Sequence, residues 1–484
     1  MHVSCCAKMS SSDIDYDKME EEFAYSMGIQ IYVFGLPLTI FEDQRKIRLD
    51  PDLMQQQEGL SPVAPINQLG HLDGLTTPDD IIPYTPNNDT VYSGALLELI
   101  DEPIILKTPS EILDRYWSIQ VSDTFFENRF YIGSRTTDGY GGNFAFVGPN
   151  FVGDLPDDVV AHRLPYNSAM FALRMEVDKT NIEEDTKKVQ ELQKQFSLTS
   201  LSNWNDGKLG VTHVPASVKA KPDYEGPLGV FQLIAALMVD NPPAEKHAAQ
   251  WDTYRYVGLV AGEEFQPERL SKPTYRGLAR AAQVGPDLMQ WKVKFQGTRY
   301  ETRWNKIQDG TYSFKYFDRA TGTLEGLFVH DYEECIYYST YESYVPNPTE
   351  GEDGTGEFFN SSFKYTMHIE KSQIPEAKAY GFWSITMYND AFQLVANDID
   401  RYSISLQTKG IEINEDGSLD LYFQAEPPES AKERNNWLPC PKTPNTLFRI
   451  AYRTYLPTYR VLNPDDVLRY IPPVMKRGEM KRRK

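Results

Sequence analysis

Four cysteines in 484 residues are too few for a disulfide framework, and no Cys-x-x-Cys occurs. Cys5 and Cys6 are adjacent near the start. Cys335 and Cys440 stand singly in strand-like segments, so buried, reduced thiols are expected. The seven histidines are scattered, no two at metal-ligand spacing, and no metal or other cofactor is assigned. Basic charge is also scarce: 49 Lys and Arg against 69 Asp and Glu leave a net charge of −20. An acidic surface repels phosphate backbones, which excludes nucleic acid as a general partner. Long clean apolar runs are missing too. Residues 23–41 include Ser26, Gln30 and Pro37, whereas a spanning helix needs about 20 apolar residues. This stretch reads as a buried amphipathic helix, and no membrane span is expected. No apolar segment follows the first residues directly, so no signal peptide is evident and a soluble, cytoplasmic protein is expected. P-loop, GxSxG, HExxH and EF-hand patterns are all absent.

Aromatic residues, by contrast, are plentiful, with 30 tyrosines and 24 phenylalanines. These favour strands and half-wet surfaces, and the length allows roughly two or three domains of about 150 residues. Phe23, Met27, Ile31 and Phe34 share one helical face, and Pro37 is expected to end or kink that helix. A polar loop is expected over residues 50–80. Short strand-like segments separated by turn residues then run from about Thr90 to Val177. Residues 181–196 read as a charged amphipathic helix, and further helices are expected at 229–239, 244–260, 275–295 and 313–328. Alternating aromatic strands return from Cys335 to Tyr455, broken by an acidic glycine loop over residues 346–356. The order is β, then α, then β. Lys476, Arg477 and Lys481 to Lys484 make a basic tail that reads as a solvated end.

The most suggestive polar cluster is Asn87-Asn88-Asp89-Thr90, immediately before a strand. Its bland role is to shape a turn. Its functional role gives Asn88 and Asp89 a ligand hydroxyl or a cation, with Tyr92 lining the same mouth. Arg115 and Asp123 bracket the segment YWSIQVS at an even separation, which puts both on one face of a regular strand. With Arg129 and Arg135 nearby, a carboxylate beside a guanidinium could orient a polar ligand, or form a structural ion pair. Asp89 with Asp123 is the candidate acid/base pair. Asp390, Asp398 and Asp400, with Asn389 and Asn397, have a composition calcium accepts but not the spacing of a known loop, and a hairpin connection is the simpler reading. His71 sits in an acid-rich loop and reads as a surface or capping histidine. Trp383, Trp437 and Tyr455 read as core.

Several stretches together resemble known families. Residues 381–390 (GFWSITMYND), 397–405 (NDIDRYSIS), 414–424 (NEDGSLDLYFQ), 435–441 (NNWLPCP) and 448–457 (FRIAYRTYLP) resemble the domain of unknown function twelve fourteen. Residues 86–99 (PNNDTVYSGALLEL), 114–125 (DRYWSIQVSDTF) and 132–151 resemble its companion, twelve fifty-four. The resemblance implies an α+β, mainly β chain: two antiparallel β-sandwich (jelly-roll-like) domains joined by a helical segment. The expected boundaries are a leader at 1–15, an N-terminal domain at 16–180, a helical connection at 181–310, a C-terminal domain at 311–472 and a tail at 473–484. The resemblance also implies a homo-oligomer, a trimer being the form it suggests. Its landmarks fall on Asn88, Asp89, Tyr92, Arg115, Tyr116, Asp123, Gly133 and Arg135. In the second domain they fall on Trp383, Tyr388, Arg401, Tyr402, Asp416, Gly417, Trp437, Pro439 and Arg449. Two functional readings follow. One is an enzyme or binding protein for a small polar or carbohydrate-like ligand, using Asn88, Asp89, Tyr92, Arg115, Asp123 and Arg135. The other is an assembly protein without catalysis.

Overall fold

The computed structural model describes residues 14–80, 85–211, 214, 217–294, 297–344 and 356–479. Cys5, Cys6, most of the acidic glycine loop and the last residues of the basic tail lie outside the described residues. The chain divides into two compact units. The first joins Met1–Asp43, Ala220–Phe295 and Phe314–Thr321; the second joins Gln44–Lys219, Gln296–Ser313 and Gly322–Lys484.

The first unit is helical. Helix α1 (Tyr16–Leu49) supplies most of its length to this unit and runs through Pro37 rather than stopping there. Val33, Phe34, Leu36 and Leu38 are buried around the proline, and burying that stretch outweighs one missing backbone hydrogen bond. Among the described residues α1 is the one helix long and apolar enough to cross a membrane. Three short helices follow within the second unit. Helix α2 (Pro51–Gln56) lies in the expected polar loop, capped by the Asp50 carboxylate with Pro51 in its first turn. Helices α3 (Ile182–Gln193) and α4 (Leu201–Asn205) come further along. The chain then returns to the first unit with α5 (Gly229–Asp240). The helix expected over 244–260 is only the short α6 (Ala248–Asp252) between two 3-10 turns; Gly258, at φ 86°, ends the run. Helix α7 (Lys272–Lys294) presents Gly277, Ala281 and Gly285, one turn apart, to Ala24, Gly28 and Tyr32 of α1. Small residues there let the two backbones approach closely. Helix α8 (Tyr316–Gly326) gives its residues up to Thr321 to this unit and the rest to the second.

The second unit holds the sheets. Strands β1 (Gly70–His71), β2 (Thr90–Glu98), β4 (Trp117–Asp123), β5 (Asn128–Gly133) and β8 (Ser168–Glu176) form one sheet in the order β1-β2-β8-β4-β5. Strands β3 (Ile104–Lys107), β6 (Asn143–Val147), β7 (Val159–Arg163) and β9 (Ser197–Ser200) form a second, β7-β6-β3-β9. The two share a core of Val91, Leu97, Ile104, Leu106, Trp117, Ile119, Phe146 and Phe171. Strands β10 (Thr298–Arg299), β11 (Asn305–Lys306), β12 (Cys335–Thr340), β16 (Trp383–Asn389), β17 (Ser403–Ile404) and β20 (Phe448–Tyr455) make a third sheet, β10-β11-β12-β20-β16-β17. Strands β15 (Phe363–Ile369), β18 (Leu419–Gln424), β19 (Trp437–Pro439) and β21 (Val474–Glu479) make a fourth, which shares with the third a core including Ile336, Trp383, Leu421 and Ile450. Strands β13 (Glu342–Ser343) and β14 (Glu357–Phe358) pair alone. Pairing is antiparallel except for β6 with β7 and β18 with β19, and among the described residues no sheet closes on itself.

Two expectations need correction. Helix (31%) exceeds strand (25%), so the chain is mixed α+β rather than mainly β. Aromatic content does not report strands alone: α1 itself carries Tyr16, Phe23, Tyr25, Tyr32, Phe34 and Phe41. The basic tail does not begin at residue 473: Lys476 and Arg477 lie in β21, which pairs with β15. Lys476 ion-pairs Glu357 and covers the Phe363 ring, so its charge is used locally.

The central strands of both large sheets are buried on both faces. All nine residues of β8 and all eight of β20 are buried. Side chains alternate along a strand. Ala169, Phe171, Leu173 and Met175 enter one core, and Phe448, Ile450 and Tyr452 the other. The opposite faces carry Arg174 and Glu176, and Arg449, Arg453 and Tyr455.

Candidate functional site

Those opposite faces line a cavity of about 110 Å³ within the second unit. Arg174, Arg449 and Arg453 all reach it, together with Asn87, Tyr92, Tyr337 and Glu325. The arginines are 4%, 3% and 5% exposed, so their charges sit out of bulk water. Arginine cannot shed its proton in a protein, so each needs a compensating partner. Arg449 has one: Nη2 donates to Glu325 Oε1 at 2.8 Å and Nη1 to the Tyr341 hydroxyl at 2.8 Å, while Nε is buried and unbonded. Arg174 has none. Its donors go to Gln120 Oε1 at 2.8 Å, the Phe328 carbonyl at 3.0 Å and the Tyr92 hydroxyl at 3.3 Å, all neutral acceptors. Arg453 donates to Thr386 Oγ1 at 2.8 Å and the Tyr388 hydroxyl at 2.7 Å, and is attracted by the buried Asp89 carboxylate. Three cations and one carboxylate therefore face one small space.

Behind this chamber lies a denser polar network. Asp89 is 1% exposed and accepts from Lys179 and from Ser384, with Ser403 Oγ 3.2 Å from Oδ1. Its backbone N–H donates to Asn87 Oδ1 at 2.7 Å, and Asn87 Nδ2 donates to the Tyr455 hydroxyl at 2.6 Å. Burial by itself would raise the Asp89 carboxyl, but Lys179 and Arg453 hold it below the ordinary carboxylate value. Glu176 behaves oppositely. Burial dominates and pushes it up to about 7, against the opposing pull of the Tyr116 backbone N–H that donates to it and of the Gln407 side chain. His330 is fully buried and stacked on Tyr337, with both ring nitrogens unbonded. Burial first, then Arg174 and Arg135, keep it neutral.

The six residues expected to form a site from sequence do not converge. Tyr92 lines the chamber, and Asn88 and Asp89 stand beside it, with Asn88 Nδ2 spent on the Thr76 carbonyl at 2.7 Å. Asp123 is ion-paired to Arg129 at the other end of the sheet. Asp89 neighbours Val177 and Asp123 pairs with Ala169, so eight strand residues, or ~26 Å, separate the two carboxylates. They are no acid/base pair. Arg115 and Asp123 do not meet either: Arg115 precedes β4 and is bound to Asp185 at 2.8 Å, whereas Asp123 ends that strand eight residues on. Arg135 donates to Glu334 at 2.6 Å. His71 Nδ1 lies 2.8 Å from Ser93 Oγ. Asn389 and Asn397 accept from nearby backbone N–H groups, Asp398 pairs with Lys442 and Asp400 accepts from Tyr402, so these residues build turns. Among the described residues no cluster of His, Cys, Asp and Glu could hold a metal. Cys335 and Cys440 are buried free thiols.

Sequence reasoning does not single out Arg174 or Arg453, and it reaches Arg449 only as a family landmark. A signal exists: Arg174 interrupts the apolar run MFALRMEV, and Arg449 and Arg453 are four apart in FRIAYRTY, hence on one strand face.

Comparison with known proteins agrees with this architecture. The family model described as Protein of unknown function (DUF1254) matches residues 66–200, and Protein of unknown function (DUF1214) matches residues 346–459. The chain belongs to the two-domain family that combines them. The VPA0106 protein of Vibrio parahaemolyticus, a crystal structure, is 19% identical with a TM-score of 0.64, over 94% of this chain and 99% of that one, and shares the fold. An uncharacterised protein from Burkholderia cenocepacia is 11% identical with a TM-score of 0.41, over 96% of each chain. No curated protein matches the chain.

Proposed function

We propose that this protein binds a small organic anion in the chamber lined by Arg174, Arg449 and Arg453. The observation that carries the reading is Arg174, a buried guanidinium with no acidic partner among the described residues and a cavity beside it. Buried charges are ordinarily paired, and ligand sites are concave with a few convergent polar groups. A carboxylate or phosphate would supply the missing charge and accept fork-like bonds from arginine. This narrows the expected small polar ligand to an anionic one and moves its site away from Arg115, Asp123 and Arg135. In the same reading each pair of sheets is a β-sandwich, and α1 is a core helix whose Ala24, Ile31, Phe34 and Phe41 are buried rather than lipid-facing. The homo-oligomer is likewise a proposal, tested by native mass spectrometry as a multiple of the 55.5 kDa chain.

The test of the site is thermal unfolding of the purified chain with a panel of organic acids, inorganic phosphate and size-matched neutral alcohols. At least one anion should raise Tm, the alcohols should not, and Arg174→Gln should abolish the shift. An equal response to neutral compounds, or no response to any anion, would overturn the assignment.

A further inference from the structure

A second cavity of about 160 Å³ adjoins the arginine chamber. The two share a wall of Thr85, Asn87, Tyr92, Arg174, Gly326 and Phe328. Gly326 is exposed, which places it at a mouth common to both. The second cavity is lined chiefly by apolar groups, among them Leu60, Pro62, Pro86, Met170 and Leu327. An apolar space of about 150 Å³ accommodates a benzene ring, so this one takes a spacer of about six carbons. The same cavity also receives Arg48, at the end of α1.

Arg48 is 6% exposed and has no carboxylate within ion-pair distance among the described residues. Its Nη1 donates only to Gln44, to the carbonyl at 2.9 Å and to Oε1 at 3.0 Å, and its Nε is buried and unbonded. Burial is the one cause acting on it, pushing it down to about 10, so it stays charged at neutral pH. A monoanion held by Arg174 and Arg453 would leave this cation uncompensated.

We propose that the ligand is an organic dianion: two carboxylates joined by an apolar spacer, one held by Arg174 and Arg453, the other by Arg48. The proposal rests on the anion reading above and adds the second charge and the spacer. The two volumes together fall just below the range of about 300–1,000 Å³ usual for small-molecule sites. The spacer is therefore short, in the class of a C6 to C8 aliphatic or a single-ring aromatic diacid.

Isothermal titration calorimetry at neutral pH decides it. The probes are succinate, adipate, suberate and terephthalate, with hexanoate and benzoate as monoacids and 1-hexanol as the neutral control. A diacid of matching length should bind at least tenfold more tightly than the monoacid of the same spacer, since a hydrogen bond to a charged group contributes about that factor or more. Arg48→Gln should erase this preference by weakening the diacid more than the monoacid, whereas Arg174→Gln should weaken both. Monoacids binding as tightly as every diacid would overturn the dianion while leaving the anion reading standing. No binding by any acid, or hexanol matching hexanoate, would overturn both. The wild-type series alone separates these outcomes should a variant fail to fold.

Discussion

At the residue scale, ionisable groups behave according to what surrounds them. Asp89 and Glu176 lie beside the same strand pair, yet Asp89 is held low by Lys179 and Arg453, while burial lifts Glu176 to about 7 from 4.5. The raised value has a definite sign in stability. Between about 4.5 and 7 the folded chain keeps a proton that the unfolded chain has released, so stability falls as pH rises through that window. The full effect is about 3 kcal/mol. Urea unfolding from pH 4.5 to 7.5 should show this loss, and Glu176→Gln should remove it; a parallel pH dependence in both chains would refute the assignment. The candidate site is half legible at this scale. Asn87, Asn88, Asp89 and Tyr92 stand out because polar residues before a strand cluster locally. Arg174 and Arg453 do not, because their importance lies in which acids they lack, and that is a fact of three dimensions.

At the element scale, the strand segments are readable because aromatic alternation and turn residues mark them. Both regions read as strand-like, Thr90 to Val177 and Cys335 to Tyr455, hold the long observed strands. Helix ends are harder. Pro37 argues for a break by local rules, and tertiary burial around it overrides them. The α1–α7 contact is invisible in sequence, because a glycine in a helix reads as a weakness until its neighbour is known. A Cβ on Gly277 would stand 2.3 Å from the Glu21 carbonyl oxygen and 2.7 Å from the Ala24 Cβ. Gly277→Val should therefore cost about 1–3 kcal/mol in chemical denaturation. Gly326→Ala is the control: it meets nothing within 4 Å, so a change within about 0.5 kcal/mol is expected. Equal losses for both would show that close packing is not the cause.

At the scale of the whole molecule, binding and stability should be linked. A ligand that binds only the folded chain, at about a hundred times its Kd, stabilises it by about 2.7 kcal/mol. Unfolding free energies from urea denaturation with and without the best acid should differ by that amount in the wild type and coincide in Arg174→Gln. A difference surviving in the variant would place the ligand elsewhere. The sequence by itself determined the strand-rich halves, the helices between them, the excess of acid and the family, because propensity, periodicity and short motifs are local. Tertiary structure alone decided that Asp123 is remote from Asp89 and that Arg48, Arg174, Arg449 and Arg453 gather at adjoining cavities. Those four residues span some four hundred positions of chain. The pairing of β2 with β8 and of β12 with β20 places Arg174, Arg449 and Arg453, and the end of α1 brings Arg48 to the adjoining cavity.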